Sequence, residues 1–249
     1  MGTDIHMAAE VRKNGKWTLV RDKVFKNSWY EPDPSKQRDY NRNEFTNIPY
    51  DERNYNLFAM LADVRNGYGF AGCVTGQRIN PISAPKGYPE DLSDELKRDI
   101  DPDIYHSDEY RQCMGSEDRP YLSDEHSASY LTLQELLDYD WDQGHKTIGY
   151  LTQSEYASSI YKGKHPESWC GGVGGGNVVK VSEQEMIDII EGRYPVKPNQ
   201  EYYTQCVFPS RTYKEKAGSF YTDTIPALKK LIPEGGTPSD VRIVFDFDS

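Results

Sequence analysis

Thr3-Asp-Ile-His-Met-Ala-Ala-Glu-Val11, close to the N-terminus, is the stretch that decides the fold. Apolar and polar side chains alternate along it with a period of two, which is the pattern of a strand with one buried face. Asn14-Gly15 follows, and this dipeptide favours the tight primed turn of a β-hairpin. The predicted strand points Ile5, Met7, Ala9 and Val11 to one face and Asp4, His6, Ala8 and Glu10 to the other.

Outward from this hairpin, signals for helices and strands are mixed. Two capping boxes, at 132–135 and 182–185, each begin a predicted helix, and the first of these runs through Trp141. Because strands and helices do not follow a regular order, the predicted fold class is α+β, a mixed or antiparallel sheet with helices packed mainly on one face. Further helices are predicted over 52–65, ended by Asn66-Gly67, and over 211–232, interrupted at Pro226. Strands are predicted over 126–131, 177–181, 202–208 and 241–247.

Two polar stretches, at about 22–50 and 66–125, interrupt these elements and are rich in residues that break secondary structure. Loops of this length inside a domain tend to carry function or disorder. We therefore predict a single α+β domain over 1–249 with loop-rich insertions at both places. The second insertion holds a short acidic amphipathic piece at 93–100.

The net charge of −11 bears on the class of partner. Such a surface repels phosphate backbones, so extended nucleic acid is disfavoured, while a small anionic ligand remains open through a local cluster of arginines. The sequence lacks a run of 18 apolar residues and a basic-then-apolar leader, which predicts no membrane association. The cysteines at 73, 113, 170 and 206 are scattered and read as reduced, which predicts a cytoplasmic protein. A homo-oligomer is left open.

The polar face of the first strand is the strongest candidate site. Asp4, His6 and Glu10 place two carboxylates and an imidazole on one side, an arrangement that is costly to bury unless the groups pair or bind a ligand. The alternative is the solvent-facing side of an edge hairpin. An Asp-x-His pair on a first strand also begins the metal site of some metallophosphoesterases, but their later Gly-Asp and Gly-Asn-His-Asp motifs are absent here, so that assignment fails.

A second candidate is His126-Ser127-Ala128-Ser129, just before a capped helix. Its histidine is a candidate general base, or binds phosphate together with Ser127 and Ser129. The alternative is a histidine that is hydrogen-bonded in a strand-to-helix corner. Asp246 and Asp248 would add carboxylates to a metal site if the last strand neighbours the first, the alternative being a frayed end.

Arginines and glycines supply weaker signals. Arg53 falls in the first turn of the predicted helix 52–65, where a cation opposes the macrodipole, so it is a candidate fork for phosphate or carboxylate. Arg65 falls in the last turn, where a cation is expected. The run 171–176 precedes a strand and lacks the following Lys-Ser/Thr, so it is interpreted as a flexible connection and not a phosphate loop, with a ligand-covering lid as the alternative. The histidines at 106, 145 and 165 lie in polar loops and receive no role.

Five ordered motifs carry a resemblance across nearly the whole chain. They are Met1 to His6 with Glu10, Arg53 to Phe58 with Val64-Arg65, Pro85 to Pro89, His126 to Thr132, and Val241 to Phe245. In these motifs the chain resembles a family of uncharacterised proteins of phages and of phage-derived or metagenomic DNA. Thr3 stands where the family usually has cysteine, which argues against a thiol nucleophile. The resemblance implies convergence of Asp4, His6, Glu10, Arg53, His126, Ser127 and Ser129.

Three functions follow as hypotheses. The first is a phage-encoded hydrolase or phosphodiesterase acting on a small nucleotide-like phosphoester. In it Asp4, His6 and His126 hold a divalent metal or share acid–base work, with Glu10 as a second carboxylate. The second is a counter-defence protein that sequesters a signalling nucleotide without turnover, and the third is a phage structural or assembly protein. The ligand-binding set is Arg53, Tyr55, Arg65, Ser127 and Ser129.

Overall fold

The computed structural model describes residues 2–69, 72–99 and 126–248. The part of the second predicted insertion from 100 to 125, with His106 and Cys113, lies outside the described residues. The chain divides into two compact units. Unit 1 consists of Met1–Val64, Pro81–Tyr139 and Ala217–Ser249, and unit 2 of Arg65–Asn80 and Asp140–Lys216. The single domain expected over 1–249 stays a prediction.

The fold class is α+β, as predicted, with seven α-helices and eleven strands in antiparallel and mixed sheets in the described part of the chain. The strands are β1 Asp4–Lys13, β2 Lys16–Leu19, β3 Phe25–Lys26, β4 Phe45–Thr46, β5 His126–Thr132, β6 Gly144–His145, β7 Ile148–Thr152, β8 Val178–Val181, β9 Glu201–Val207, β10 Arg211–Thr212 and β11 Val241–Asp248. The helices are α1 Tyr55–Ala62, α2 Asp94–Asp99, α3 Leu133–Asp138, α4 Gln153–Ser158, α5 Glu183–Ile190, α6 Tyr213–Ala217 and α7 Ile225–Lys229.

Unit 1 is built on a four-stranded antiparallel sheet in the order β2-β1-β11-β5. The predicted hairpin is confirmed: β1 and β2 are joined by Asn14 and Gly15, whose φ angles of 52° and 77° are those of a primed turn. The last strand lies beside the first, with His6 opposite Asp246 and Glu10 opposite Arg242. The sheet therefore carries the polar positions of both strands on one face.

The other face of this sheet is the apolar core of unit 1. Ile5, Met7, Ala9 and Val11 are buried there, as the alternation predicted, together with the odd-numbered positions of β11. Helix α1 covers them, and the ring of its Phe58 lies 5.0 Å from that of Phe247. Both rings are completely buried, and each such side chain stabilises the fold by about 1.5–3 kcal/mol. This burial makes the face a source of stability for unit 1. The polar side chains of β1 and β11 lie on the opposite face.

The predicted ends of helix α1 were wrong on both sides. Asn54 caps it, accepting a hydrogen bond from the backbone N–H of Leu57, and Asp63 ends it in the left-handed conformation at φ 60°. Arg53 therefore precedes the cap and Arg65, itself at φ 54°, follows the end. The macrodipole argument applied to these two arginines does not hold, because neither lies inside the helix.

The prediction of one C-terminal helix over 211–232 is wrong, because this range forms several separate elements. It consists of strand β10, helix α6, a π-helical segment Phe220–Thr224 and helix α7. Pro226 stands in the first turn of α7, where its missing N–H costs no hydrogen bond. The first capped helix likewise ends at Asp138 and does not reach Trp141.

Unit 2 contains a three-stranded sheet in the order β7-β9-β8, in which β7 and β9 are antiparallel and β8 and β9 parallel. Helices α4 and α5 begin with capping boxes, at Thr152–Glu155 and Ser182–Glu185. Their buried residues pack on the sheet in a cluster with Leu151, Tyr156, Met186, Ile189 and Phe208. Strand β7 and helix α4 were missed in the sequence, although Thr152 and Glu155 carry the same capping signature as the two that were found.

Candidate functional site

A cavity of about 260 Å³ lies on the polar face of the unit 1 sheet, and we call it the polar-face pocket. Its floor is formed by short apolar side chains of β1 and β11, and its walls come from helix α2 and from the loops around 47–48 and 88. The residues that line it are His6, Met7, Ala8, Leu19, Asn47, Ile48, Tyr88, Leu96, Asp99, Val244 and Asp246. The sheet face that the sequence predicted to be polar is thus partly enclosed.

The register of β1 and β11 brings two titratable groups together in this pocket. His6 and Asp246 are direct cross-strand partners, so their side chains leave the sheet on the same side. Leu96 of α2 packs against Leu19 and Val244 beside them and covers part of the face. This cover leaves Asp246 only 6% exposed.

Asp246 is the most unusual side chain of the pocket. Its Oδ2 accepts a hydrogen bond from the hydroxyl of Tyr88. Its Oδ1 is buried and, among the residues that the structure describes, has no hydrogen-bond partner. Burial raises the pKa of Asp246, and the Tyr88 hydrogen bond and the charge of His6 only partly oppose this. A buried carboxyl with one unsatisfied oxygen, in the wall of a cavity, can accept a hydrogen bond from a ligand. In its protonated form it can donate a proton to a ligand.

His6 is held by the last residue of β11. Its Nε2 lies 3.3 Å from Oδ2 of Asp248, and Oδ1 of Asp248 accepts the backbone N–H of Asp4 at 3.0 Å. The His6 side chain is 55% exposed, so the imidazole reaches solvent and the pocket at once. A carboxylate behind an imidazole orients the ring for proton transfer. The condition set for Asp246 and Asp248 in the sequence, that the last strand neighbours the first, is met.

Asp4 forms an ion pair with Arg53. The guanidinium donates from Nε to Oδ1 at 2.7 Å and from Nη2 to Oδ2 at 2.5 Å, a two-pronged pair. This hydrogen bonding lowers the pKa of Asp4. Gly2 lies against the guanidinium, and any Cβ there would overlap it. Both oxygens of Asp4 and the fork of Arg53 are therefore occupied by each other.

Glu10 belongs to a buried ion cluster and not to the pocket. It is fully buried; Oε2 accepts from Nε of Arg242 at 2.8 Å and Oε1 from the backbone N–H of Ser93 at 2.9 Å. Arg242 also donates to Asp91 at 2.6 Å and stacks on the ring of Trp17 at 3.9 Å. These contacts satisfy Glu10 structurally, and its predicted role as a second catalytic carboxylate receives no support from them.

His126 lies on the opposite face of the sheet from His6. It stands across from Phe247, and the two rings stack with centroids 6.1 Å apart. The cause is a β-bulge: between Phe245 and Phe247 of β11, strand β5 has one extra residue, and Ser127 there adopts a φ of 56°. Without it, His126 would pair with Asp248 on the polar face, since one residue of slip exchanges the faces of a strand.

The other predicted ligand-binding residues are also in local contacts. Oγ of Ser127 is 2.9 Å from Nδ1 of His126, and the fully buried Ser129 accepts the backbone N–H of Lys86 at 3.2 Å. The Tyr55 hydroxyl accepts the backbone N–H of Thr3 at 3.2 Å. Arg65 lies in unit 2, outside the unit that holds the pocket. Within the set whose convergence the resemblance implies, Asp4 contacts Arg53 and His126 contacts Ser127, while His6 contacts Asp248, which is outside that set.

The predicted metal set of Asp4, His6 and His126 does not fit a divalent ion. Asp4 is engaged by Arg53, and the two histidines leave opposite faces of the sheet. Across 2–69, 72–99 and 126–248, His, Cys, Asp and Glu side chains form no group of three that could hold a metal.

Comparison with protein-family models, with curated proteins and with solved structures gave no match. In the described part of the chain, helices with the length and apolar character of a membrane span are absent.

No role was predicted for Tyr88, and Asp246 was predicted only as an additional carboxylate of a metal site or as part of a frayed end. One signal was available for Asp246: in Val241-Arg-Ile-Val-Phe-Asp-Phe-Asp248 the polar residues fall on alternate positions, as they do in β1. Two strands of this kind that pair in register must stack their polar sets. Tyr88 gave no signal, because it lies in a loop whose position depends on tertiary packing.

Proposed function

We propose that the protein binds a small organic ligand in the polar-face pocket and acts on it by general acid–base chemistry, as a hydrolase of a nucleotide-like phosphoester. The observation that carries this proposal is the oxygen of buried Asp246 that has no hydrogen-bond partner among the described residues and lies across the strand pair from His6. A protein gains no stability from such an oxygen, since an unsatisfied buried polar atom costs about 1–3 kcal/mol. Its presence in a cavity wall is explained by a ligand that completes its hydrogen bonding.

The chemistry assigned to the two groups follows from their surroundings. His6, backed by Asp248, takes a proton from a water molecule, and Asp248 stabilises the imidazolium that forms. The water oxygen forms a bond to phosphorus while the bond from phosphorus to the leaving oxygen breaks. Asp246, whose pKa is raised by burial, is assigned as the acid that gives its proton to that oxygen. One proton is taken up and one released, so the step balances without a further reactant.

The pocket also limits how a nucleotide-like ligand can lie. Drug-sized ligands occupy about 300–1,000 Å³, so a cavity of about 260 Å³ suits a single base or sugar. Asp99 adds a negative charge to its wall, which disfavours a phosphate deep inside. The base or sugar therefore lies on the apolar floor of Ala8 and Val244, and the phosphate lies at the mouth beside His6.

The test is a panel of mononucleotides and of linear and cyclic dinucleotides, with binding followed by calorimetry and product by chromatography. We expect turnover by the wild-type chain and its loss in Asp246→Asn, with Asp22→Asn as the matched control. Asp22 is an exposed carboxylate of the same unit. Loss of activity in both variants would contradict the proposed role of Asp246, as would unchanged activity in Asp246→Asn.

The same panel separates the other two functions. Tight binding by the wild type without product, weakened by Asp246→Asn, would identify a protein that sequesters its ligand. Neither binding nor product would leave a structural or assembly role in a phage particle, and would overturn the acid–base proposal.

A further inference from the structure

Unit 2 holds a group of basic side chains that the function proposed above does not use, and we call it the basic cluster: His145, His165, Arg211 and Lys216. Strands β6 and β10 pair so that His145 and Arg211 are direct cross-strand partners. The Cβ atoms of such partners are about 4.5–5.5 Å apart and lie on the same face. The two side chains therefore share one surface.

Lys216 reaches the same surface from helix α6. Its Nζ donates to Oγ1 of Thr147 at 2.6 Å, and Thr147 follows His145 by two residues. Burial lowers the pKa of Lys216 to about 8, and the charge of Arg211 adds to this effect. The charges of Arg211 and Lys216 likewise lower the pKa of His165, after burial. Cationic groups are thus held near one another and partly out of water.

One ring nitrogen of His145 is a candidate hydrogen-bond acceptor for a ligand. Its Nε2 is 2.5 Å from the carbonyl oxygen of Gln77, so Nε2 carries the hydrogen and Nδ1 carries the lone pair. Nδ1 is buried and, within the described ranges of the chain, has no hydrogen-bond partner, while the residue is only 6% exposed. Burial lowers the pKa of His145, which keeps this nitrogen an acceptor.

The charge balance of the cluster is opposite to that of the chain. The whole sequence carries −11, and the charge of one carboxylate, Glu215, reaches the cluster. After its hydrogen bonds with Thr212, the charge of Arg211 lowers the pKa of Glu215. Glu215 in turn opposes the lowering of the pKa of His165 by burial. Glu215, the nearby acid of the same stretch, accepts the backbone N–H and the hydroxyl of Thr212 and caps helix α6. Arg211 is exposed and Lys216 is partly buried, so an anion bound beside both would reduce the repulsion between their charges.

We propose that the basic cluster binds a small phosphate, either inorganic phosphate or a phosphate monoester. Arg211 supplies a fork of N–H donors, Lys216 supplies charge, and Nδ1 of His145 accepts the hydrogen of a P–OH group. Sulfate has the same shape but carries no hydrogen at neutral pH. The acceptor nitrogen therefore predicts a preference for phosphate over sulfate, which charge alone would not give.

The experiment titrates the full chain with inorganic phosphate, and separately with sulfate, at constant ionic strength, following amide shifts of unit 2 by NMR. We expect saturable shifts around 145–147 and 211–216 with phosphate, and at least about tenfold weaker binding in Arg211→Gln, the equivalent of about 1.4 kcal/mol. Lys197→Gln is the matched control, because it removes one exposed positive charge from the same unit. It should bind phosphate as the wild type does.

Lys216→Gln provides a second test if Arg211→Gln fails to fold, since Lys216 lies on α6 and not in the β6–β10 pair. The absence of saturable shifts in the wild type would overturn the proposal. Equal loss in Lys197→Gln would also overturn it, because the effect would then be one of net charge. Equal affinity for sulfate and phosphate would contradict the role of His145.

Discussion

His6 and Asp246 face each other across the β1–β11 pair, yet the His6 side chain is 55% exposed and Asp246 only 6%. Two neighbouring side chains on one sheet face thus differ in their exposure to water. The imidazole contacts bulk water, whereas the carboxyl is partly shielded by Tyr88 and the α2 region. In the acid–base mechanism proposed above, this difference assigns the role of base to His6 and the role of acid to Asp246.

Asp246→Asn should change how stability depends on pH. Burial raises the folded pKa of Asp246 above its ordinary 3.8, so the folded chain holds the proton more tightly than the unfolded chain. The stabilisation is complete below about 3.8 and is lost as the pH rises through the folded value. Urea unfolding at pH 4 and pH 7 should therefore show the variant gaining stability relative to wild type at pH 7. A variant that instead lost stability relative to wild type over this interval would show that the carboxylate is favoured in the fold.

His6→Gln and His126→Gln should differ in their effects on activity. Loss of a positioned acid–base group costs about 10²–10⁴-fold in rate, and we expect such a loss only for His6. His126 packs on Phe247 on the other face of the sheet, so its variant should keep the wild-type rate and lose some stability. The readouts are steady-state turnover of the best substrate of the panel and thermal unfolding. Equal loss of turnover in both folded variants would restore the two-histidine site predicted from sequence.

Glu10→Gln should act on stability and not on ligand binding. Removing one partner of a buried pair costs about 3–5 kcal/mol because the other charge is left uncompensated. Asp91 also contacts Arg242, so the expected loss is toward the lower end of that range. Urea unfolding measures it, with the exposed Glu90→Gln as control. Loss of activity at unchanged stability would instead support the catalytic role first predicted for Glu10.

Asp4→Asn tests the predicted divalent metal. Asp4 and Arg53 form an ion pair of which both members are about half exposed. Asp4→Asn should therefore lower the melting temperature less than Glu10→Gln does. Mg²⁺, Mn²⁺ or Zn²⁺ added to the wild type should leave that temperature unchanged. If a metal stabilised the wild type and Asp4→Asn abolished the effect, the metal set would be right and the contact with Arg53 would have to open.

Local signals in the sequence were sufficient where neighbouring residues decide the structure. Asn14-Gly15 specifies its turn, alternation in β1 separates its faces, and Thr132–Glu135 and Ser182–Glu185 start their helices. Helix ends were less predictable. Asp63 stops α1 in a left-handed conformation that residues other than glycine seldom adopt, so no composition rule indicated it.

The pattern of residue types was enough to predict an α+β chain, the buried residues of β1, and the shared face of Asp4, His6 and Glu10. The partners of these three side chains depend on how distant strands pair. The register of β11 puts Asp246 against His6 and Arg242 against Glu10, and a single extra residue near Ser127 moves His126 to the opposite face. The physical reason is that the period of a strand is local, whereas its register and its covering loops depend on segments more than a hundred residues away.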